Sequence, residues 1–236
     1  MDMGMRLRST ATDAAIVIVC CGILLTAALG IVSRRGTAAQ IQTDTVRVLI
    51  DPGHGGEDGG AVAADGTQEK TINLSISLSL ADLLKVMGYS VTMTRCTDTM
   101  INTTGTTLRE RKVSDIRNRL AMIEEADVTI SIHQNKFTQS QYDGTQVFYS
   151  GNNDQSVILA ESVRQSVVSL LQPDNTRELK KGDSNVYLLA HATKPLILVE
   201  CGFLSNVEEE AKLRSEVYQK QLCCVIATTV SNFLDR

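Results

Sequence analysis

The 236-residue chain predicts an α/β protein: a three-layer αβα sandwich around a central, mostly parallel sheet of about six strands, preceded by an N-terminal membrane helix. Two patterns carry this expectation. Short apolar, β-branched runs alternate with longer segments whose apolar residues recur at helical steps, as in strands joined by crossover helices. In addition, an uncharged stretch of membrane length stands near the amino terminus.

That stretch, Ala14 to Val32, is flanked by Arg6 and Arg8 before it and by Arg34 and Arg35 after it. As a helix its 19 residues span about 28 Å, close to the hydrocarbon thickness of a bilayer. A cleaved signal peptide has a shorter apolar core, so an anchor is the preferred reading, although Thr37-Ala38-Ala39 resembles a cleavage site. Residues 1–40 are therefore read as anchor or signal segment and linker, and residues 41–236 as one domain. The expected location is outside the cytoplasm, membrane-anchored or secreted.

Strands are expected at Val46 to Ile50, Ser90 to Thr94, Val128 to Ile132, Thr145 to Tyr149, Val186 to Leu189 and Leu196 to Val199. Helical steps run through Val113, Ile116, Leu120 and Ile123, and through Val157, Ala160, Val163, Val167 and Leu171. The segment from Ile72 to Leu80 alternates as a strand would. It also places Ile72, Ile76, Leu80, Leu83 and Met87 on one helical face, and Gly88 supplies a helix stop. Its length favours the helix.

Composition narrows the function. With 43% hydrophobic and 21% charged residues the chain is neither disordered nor of low complexity. Its net charge of −4 becomes −6 without the four Arg and two Asp of residues 1–40, so there is no basic surface for nucleic acid. The six Cys show no disulfide framework; Cys96 and Cys201 read as buried apolar residues.

The chemistry concentrates at strand ends. His54 follows the first strand in a glycine-rich loop, Asp51 to Gly60, that matches neither phosphate-loop pattern. His133 ends the third strand, at the rim where α/β sheets bind ligands. Glu200 closes the apolar run Leu196 to Val199, where a carboxylate is costly unless it is paired or bound to metal. Two His and a carboxylate around an open position form a common catalytic zinc arrangement, beside which a second carboxylate can take a proton from water. On its own, Glu69 reads as an ordinary acid in the first turn of a helix. His191 reads as structural, and Cys201, next to Glu200, points to the opposite face of its strand.

These residues lie in blocks: VLIDPGHGG, QEKTINL, TMTRCTD, TISIHQN and VECGFLSN. Together they resemble the zinc-dependent N-acetylmuramoyl-L-alanine amidases of the amidase_3 family, over nearly all of residues 46–235. The resemblance implies that His54, Glu69 and His133 hold one Zn²⁺ and that Glu200 is catalytic, with peptidoglycan as substrate. It departs from the family pattern at Gln134 and Cys201. With a minimal catalytic domain behind one membrane segment, the chain is similar to spore-cortex, germination-specific amidases. An accessory activating protein is left unassigned by the sequence. The competing readings are a zinc carboxypeptidase-like enzyme acting within the stem peptide and a non-catalytic wall-binding protein.

Overall fold

The computed structural model describes residues 45–235. The expected membrane segment lies outside them, and no helix among the described residues is long and apolar enough to cross a membrane.

In chain order the elements are β1 (Arg47–Pro52), α1 (Glu69–Val86), β2 (Ser90–Met93), α2 (Leu108–Glu125), β3 (Val128–Asn135), β4 (Gln146–Tyr149), α3 (Asp154–Leu170), β5 (Lys180–Lys181), α4 (Tyr187–His191), β6 (Leu196–Phe203), α5 (Val207–Arg214) and α6 (Glu216–Leu234). The six strands form one sheet in the order β2-β1-β3-β6-β4-β5. Every pairing is parallel except β4 with β6.

The central strands are nearly continuous apolar runs because both of their faces are covered. Val48, Ile50, Ile130, Ile132, Ile197 and Val199 join α1, α3 and α6 in one core. Leu49, Leu196 and Leu198 face the other way, against Ile123 of α2 and Leu188 and Leu189 of α4. Each fully buried Leu or Ile contributes about 1.5–3 kcal/mol relative to exposure.

The helix over Ile72 to Leu80 is present as α1. Its buried face includes Ile72, Ile76, Leu80 and Leu84, whereas Met87 is exposed. Gly88 ends it at φ +98°, a left-handed conformation that costs a side chain and suits glycine. α2 starts with a reciprocal cap: Thr107 Oγ1 accepts from the Glu110 backbone N–H, and Glu110 Oε2 accepts from that of Thr107.

Two expectations are corrected. The run Val186 to Leu189 is no strand: Tyr187–His191 forms the short helix α4. A four-residue apolar run fits one buried helical turn equally well, and Tyr187, Leu188, Leu189 and Ala190 are not β-branched. The sheet takes its sixth strand instead from the two exposed lysines of β5. Cys96 is exposed just past β2, where the chain has left the sheet, while Cys201 is buried as expected; the four described cysteines are free.

Candidate metal centre and active site

Parallel pairing of β1 with β3 brings His54 and His133 to one rim, with ring centroids 5.1 Å apart. The third member arrives with a helix. α1 has no side-chain cap at Gln68; instead its first N–H groups donate to loop carbonyls, Glu69 N to Ala61 O (2.8 Å) and Lys70 N to Gly59 O (3.2 Å). The glycine-rich loop thereby docks on the start of the helix, and the Glu69 carboxylate is free to reach between the two imidazoles. Its Oε2 lies 3.2 Å from His54 Nε2 and its Oε1 lies 2.9 Å from His133 Nδ1. One donor atom from each of the three residues lies within 4.8 Å of the others, so the group can hold a metal ion.

The surroundings hold these side chains in place. Glu69 Oε1 accepts from Asn73 Nδ2 and from the Gln134 N–H, both at 3.1 Å, and Oε2 accepts from the Ala61 N–H at 2.8 Å. Gln134 Nε2 donates to Asn73 Oδ1 at 3.1 Å, which gives that departure from the family pattern a place in the same network. The second imidazole nitrogen of His54, Nδ1, is 2.9 Å from Asp58 Oδ2, and Asp58 Oδ1 accepts from Lys112 Nζ at 2.9 Å. A carboxylate behind a ligating histidine fixes its ring and tautomer.

Two glycines leave the space that the triad fills. A Cβ on Gly53 would lie 2.2 Å from His133 Cε1, and one on Gly60 (φ +68°) would lie 2.5 Å from Glu69 Oε2 and 2.6 Å from His54 Cδ2. His54 itself has φ +61°, uncommon for any residue with a side chain. Two buried arginines pin the backbone around it. Arg119 Nη2 donates to His54 O at 2.7 Å, and Arg95 Nη2 donates to Gly53 O at 3.0 Å. Arg119 is in turn paired with Asp51 (2.5 Å) and Asp115 (2.6 Å).

Glu200 is the register partner of His133 on the neighbouring strand. Its Oε2 is buried without a hydrogen-bond partner. Burial, reinforced by the nearby Glu69 charge, pushes its pKa up to about 7 against the opposing pull of His133 and His54. The Glu69 carboxyl goes the other way: burial raises it, but hydrogen bonds from His133 and His54 outweigh burial and hold it well below the usual range. For His54, burial favours the neutral ring, yet hydrogen bonds to Asp58 and Glu69 prevail and raise its pKa to about 9. A cavity of about 600 Å³ opens beside His54 and His133, walled by Leu108, Val113, Ile116 and Leu188.

The structure thus brings together His54, Glu69 and His133, with Glu200 alongside. His191 is exposed at the end of α4, its ring stacked on Tyr187, and is not part of the group. Sequence reasoning missed Asp58. The signal was present: a carboxylate four residues after a candidate ligand, in the same loop.

Against known proteins, the family model described as N-acetylmuramoyl-L-alanine amidase, Amidase_3, matches residues 48–232. The chain belongs to this family of amidases. It is 36% identical over 182 residues to a germination-specific N-acetylmuramoyl-L-alanine amidase of Bacillus subtilis (strain 168), covering 76% of this chain and 76% of that one. The CwlD amidase from Clostridioides difficile, whose structure was determined in complex with the GerS lipoprotein, superposes with a TM-score of 0.77 at 35% identity. That match covers 81% of this chain and 99% of the other. An N-acetylmuramoyl-L-alanine amidase from Clostridium difficile 630 superposes at 0.72 with 31% identity, over 82% of this chain and 98% of that one.

Proposed function

We propose that this amidase is a zinc enzyme of the spore cortex. It hydrolyses the amide between the lactyl group of N-acetylmuramic acid and L-alanine, with zinc held by His54, Glu69 and His133 and with Glu200 as the acid/base. The observation that carries the reading is the convergence of three donor atoms within 4.8 Å, beside a buried carboxylate oxygen with no partner. The residues fit the ion by their chemistry. Two imidazoles and one carboxylate are a common catalytic zinc set, each held by an outer partner. Glycine at positions 53 and 60 leaves the room in which they meet.

Zinc bound there supplies positive charge that polarises a carbonyl and acidifies water. Glu200 Oε2 accepts a proton from the attacking water and returns it to the amide nitrogen as the C–N bond breaks, so the peptide departs as a neutral amine. A carboxyl group with its pKa raised toward neutrality suits both directions of that transfer. Asp58 and Lys112 keep the His54 ring oriented, and Asn73 and the Gln134 N–H keep Glu69 turned into the site.

The germination-specific relative supports the cortex assignment. The wall substrate lies outside the cytoplasm, in keeping with Ala14 to Val32 as an anchor and residues 41–236 as the catalytic domain. The CwlD amidase was captured with a lipoprotein, which favours an accessory partner of that kind here.

The test is digestion of sacculi by the full chain with and without Zn²⁺, with products read by mass spectrometry. Intact stem peptides released from bare glycan, only when zinc is present, are expected. Cleavage within the peptide, or equal turnover by metal-free protein, contradicts the reading.

A further inference from the structure

The strand order lays the polar groups of the rim out in a line. His54 follows β1, His133 belongs to β3, Glu200 to β6 and Gln146 to β4, with Lys180 on β5 beyond. His133 and Glu200 are register partners, and so are Glu200 and Gln146; residues directly opposite each other in a sheet share a face. With the scissile carbonyl carbon near the donors of β1 and β3, and the departing nitrogen near Glu200, the chain beyond that nitrogen is directed over β4 and β5. That chain is the peptide arm of the substrate.

A second cavity, of about 440 Å³, lies there. Gln146, only 2% exposed, lines it. The Gln146 Nε2 donates to Glu178 O at 3.2 Å, which fixes the amide orientation and leaves Oε1 as the acceptor. That Oε1 is buried with no partner, an arrangement that favours a donor supplied by a ligand. Tyr142, Arg177 and Lys180 also line the cavity. The Arg177 guanidinium stacks over the Phe203 ring at 4.2 Å and over the Tyr142 ring at 5.6 Å, and its Nε donates to the backbone oxygen of Asp143. Among the described residues neither Arg177 nor Lys180 has a carboxylate within 4 Å, although Asp143 and Glu178 also line the cavity. An unmet acceptor, two cations without ion pairs and an aromatic wall suit a ligand that offers both N–H groups and carboxylates. A peptide offers both, and a neutral N-acetylated glycan offers no carboxylate.

We infer that this cavity is the subsite for the peptide arm, with Gln146 Oε1 accepting a peptide N–H and with Arg177 and Lys180 receiving peptide carboxylates. The inference rests on the placement of Glu200 at the leaving amine. Its test is calorimetric titration of the full-chain Glu200→Gln protein with a muramoyl tripeptide bearing free carboxylates, and with the same molecule after its carboxyl groups are amidated. The free acid is expected to bind about tenfold more tightly. Arg177→Gln with Lys180→Gln should erase that preference, and Gln146→Leu should weaken both ligands. Lys180→Gln alone, at an exposed edge position, should halve the preference or more and serves if the Arg177 variant does not fold. In the active background these changes should raise KM about tenfold and leave kcat within twofold. An undiminished preference in the variants overturns the subsite. So does loss of binding to a peptide-free disaccharide, titrated alongside, with peptide binding intact, which would make it a glycan site. The binding preference is read without turnover. Failure of zinc-dependent hydrolysis would therefore count against the proposed function and not against the cavity.

Discussion

Two walls of the same site each present a glutamate, and they treat it oppositely. On the α1 side, Glu69 is wrapped in donors: Asn73, two backbone N–H groups and two imidazoles. On the β6 side, Glu200 has apolar residues before it in its strand and a buried oxygen without a partner. The first carboxyl is held far below its ordinary pKa and the second is raised to about 7. Identical side chains thus end with opposite shifts, and the difference comes from hydrogen-bond supply, burial and the neighbouring charges.

The comparison breaks most visibly at Glu200. Glu200→Gln keeps the shape and removes the titrating oxygen. It should lower kcat by about 10²- to 10⁴-fold, measured on soluble muropeptides, with zinc content unchanged. Next in size is the buried pair formed by Asp51 of β1 and Arg119 of α2. Asp51→Asn leaves Arg119 with one carboxylate partner fewer and should cost about 3–5 kcal/mol in urea unfolding. Its pH dependence follows from the direction of the shift. Burial alone would raise the Asp51 carboxyl, but the Arg119 charge and hydrogen bonds from Ser131 and Thr94 hold it below its ordinary value. The stabilisation is therefore present above an unfolded value of 3.8 and is lost as pH falls through the lower folded value. Wild type should lose stability on that acid limb, and Asp51→Asn should flatten it.

Asp58→Asn sharpens the contrast from the outer side of His54. Weakening the oriented ring should reduce zinc affinity about 10- to 100-fold in competition with a chelator, with little effect on the Glu200 step once metal is saturating. The smallest effect belongs to the N-terminus of α2. Thr107→Ala removes the α2 cap and should cost about 1 kcal/mol of stability while leaving zinc affinity unchanged.

Much of this geometry was legible because it sits at strand ends. His54, His133 and Glu200 follow apolar runs whose parallel pairing could be read from the alternation of elements, and that pairing places all three at one rim. Glu69 was not legible from the residues alone, since an acid in a first helical turn is ordinary; only its motif block distinguished it. Less visible still were features made by three-dimensional closeness without sequence pattern. Arg95 and Arg119 grip the backbone of the His54 loop from two different parts of the chain. β5 is two exposed lysines with no alternation to read, and α4 arises from a run too short to separate a strand from a helical turn. Gln146 looks unremarkable in the sequence until β4 runs antiparallel to β6 and sets it opposite Glu200.

The division between the two glutamates is tested most directly by measuring zinc per chain in the full-length Glu69→Gln and Glu200→Gln proteins, prepared in parallel. Glu69→Gln should lose most of its zinc, whereas Glu200→Gln should retain one ion per chain with kcat about 10²- to 10⁴-fold lower. Equal zinc content in the two variants, or an undiminished kcat in Glu200→Gln, would contradict the account.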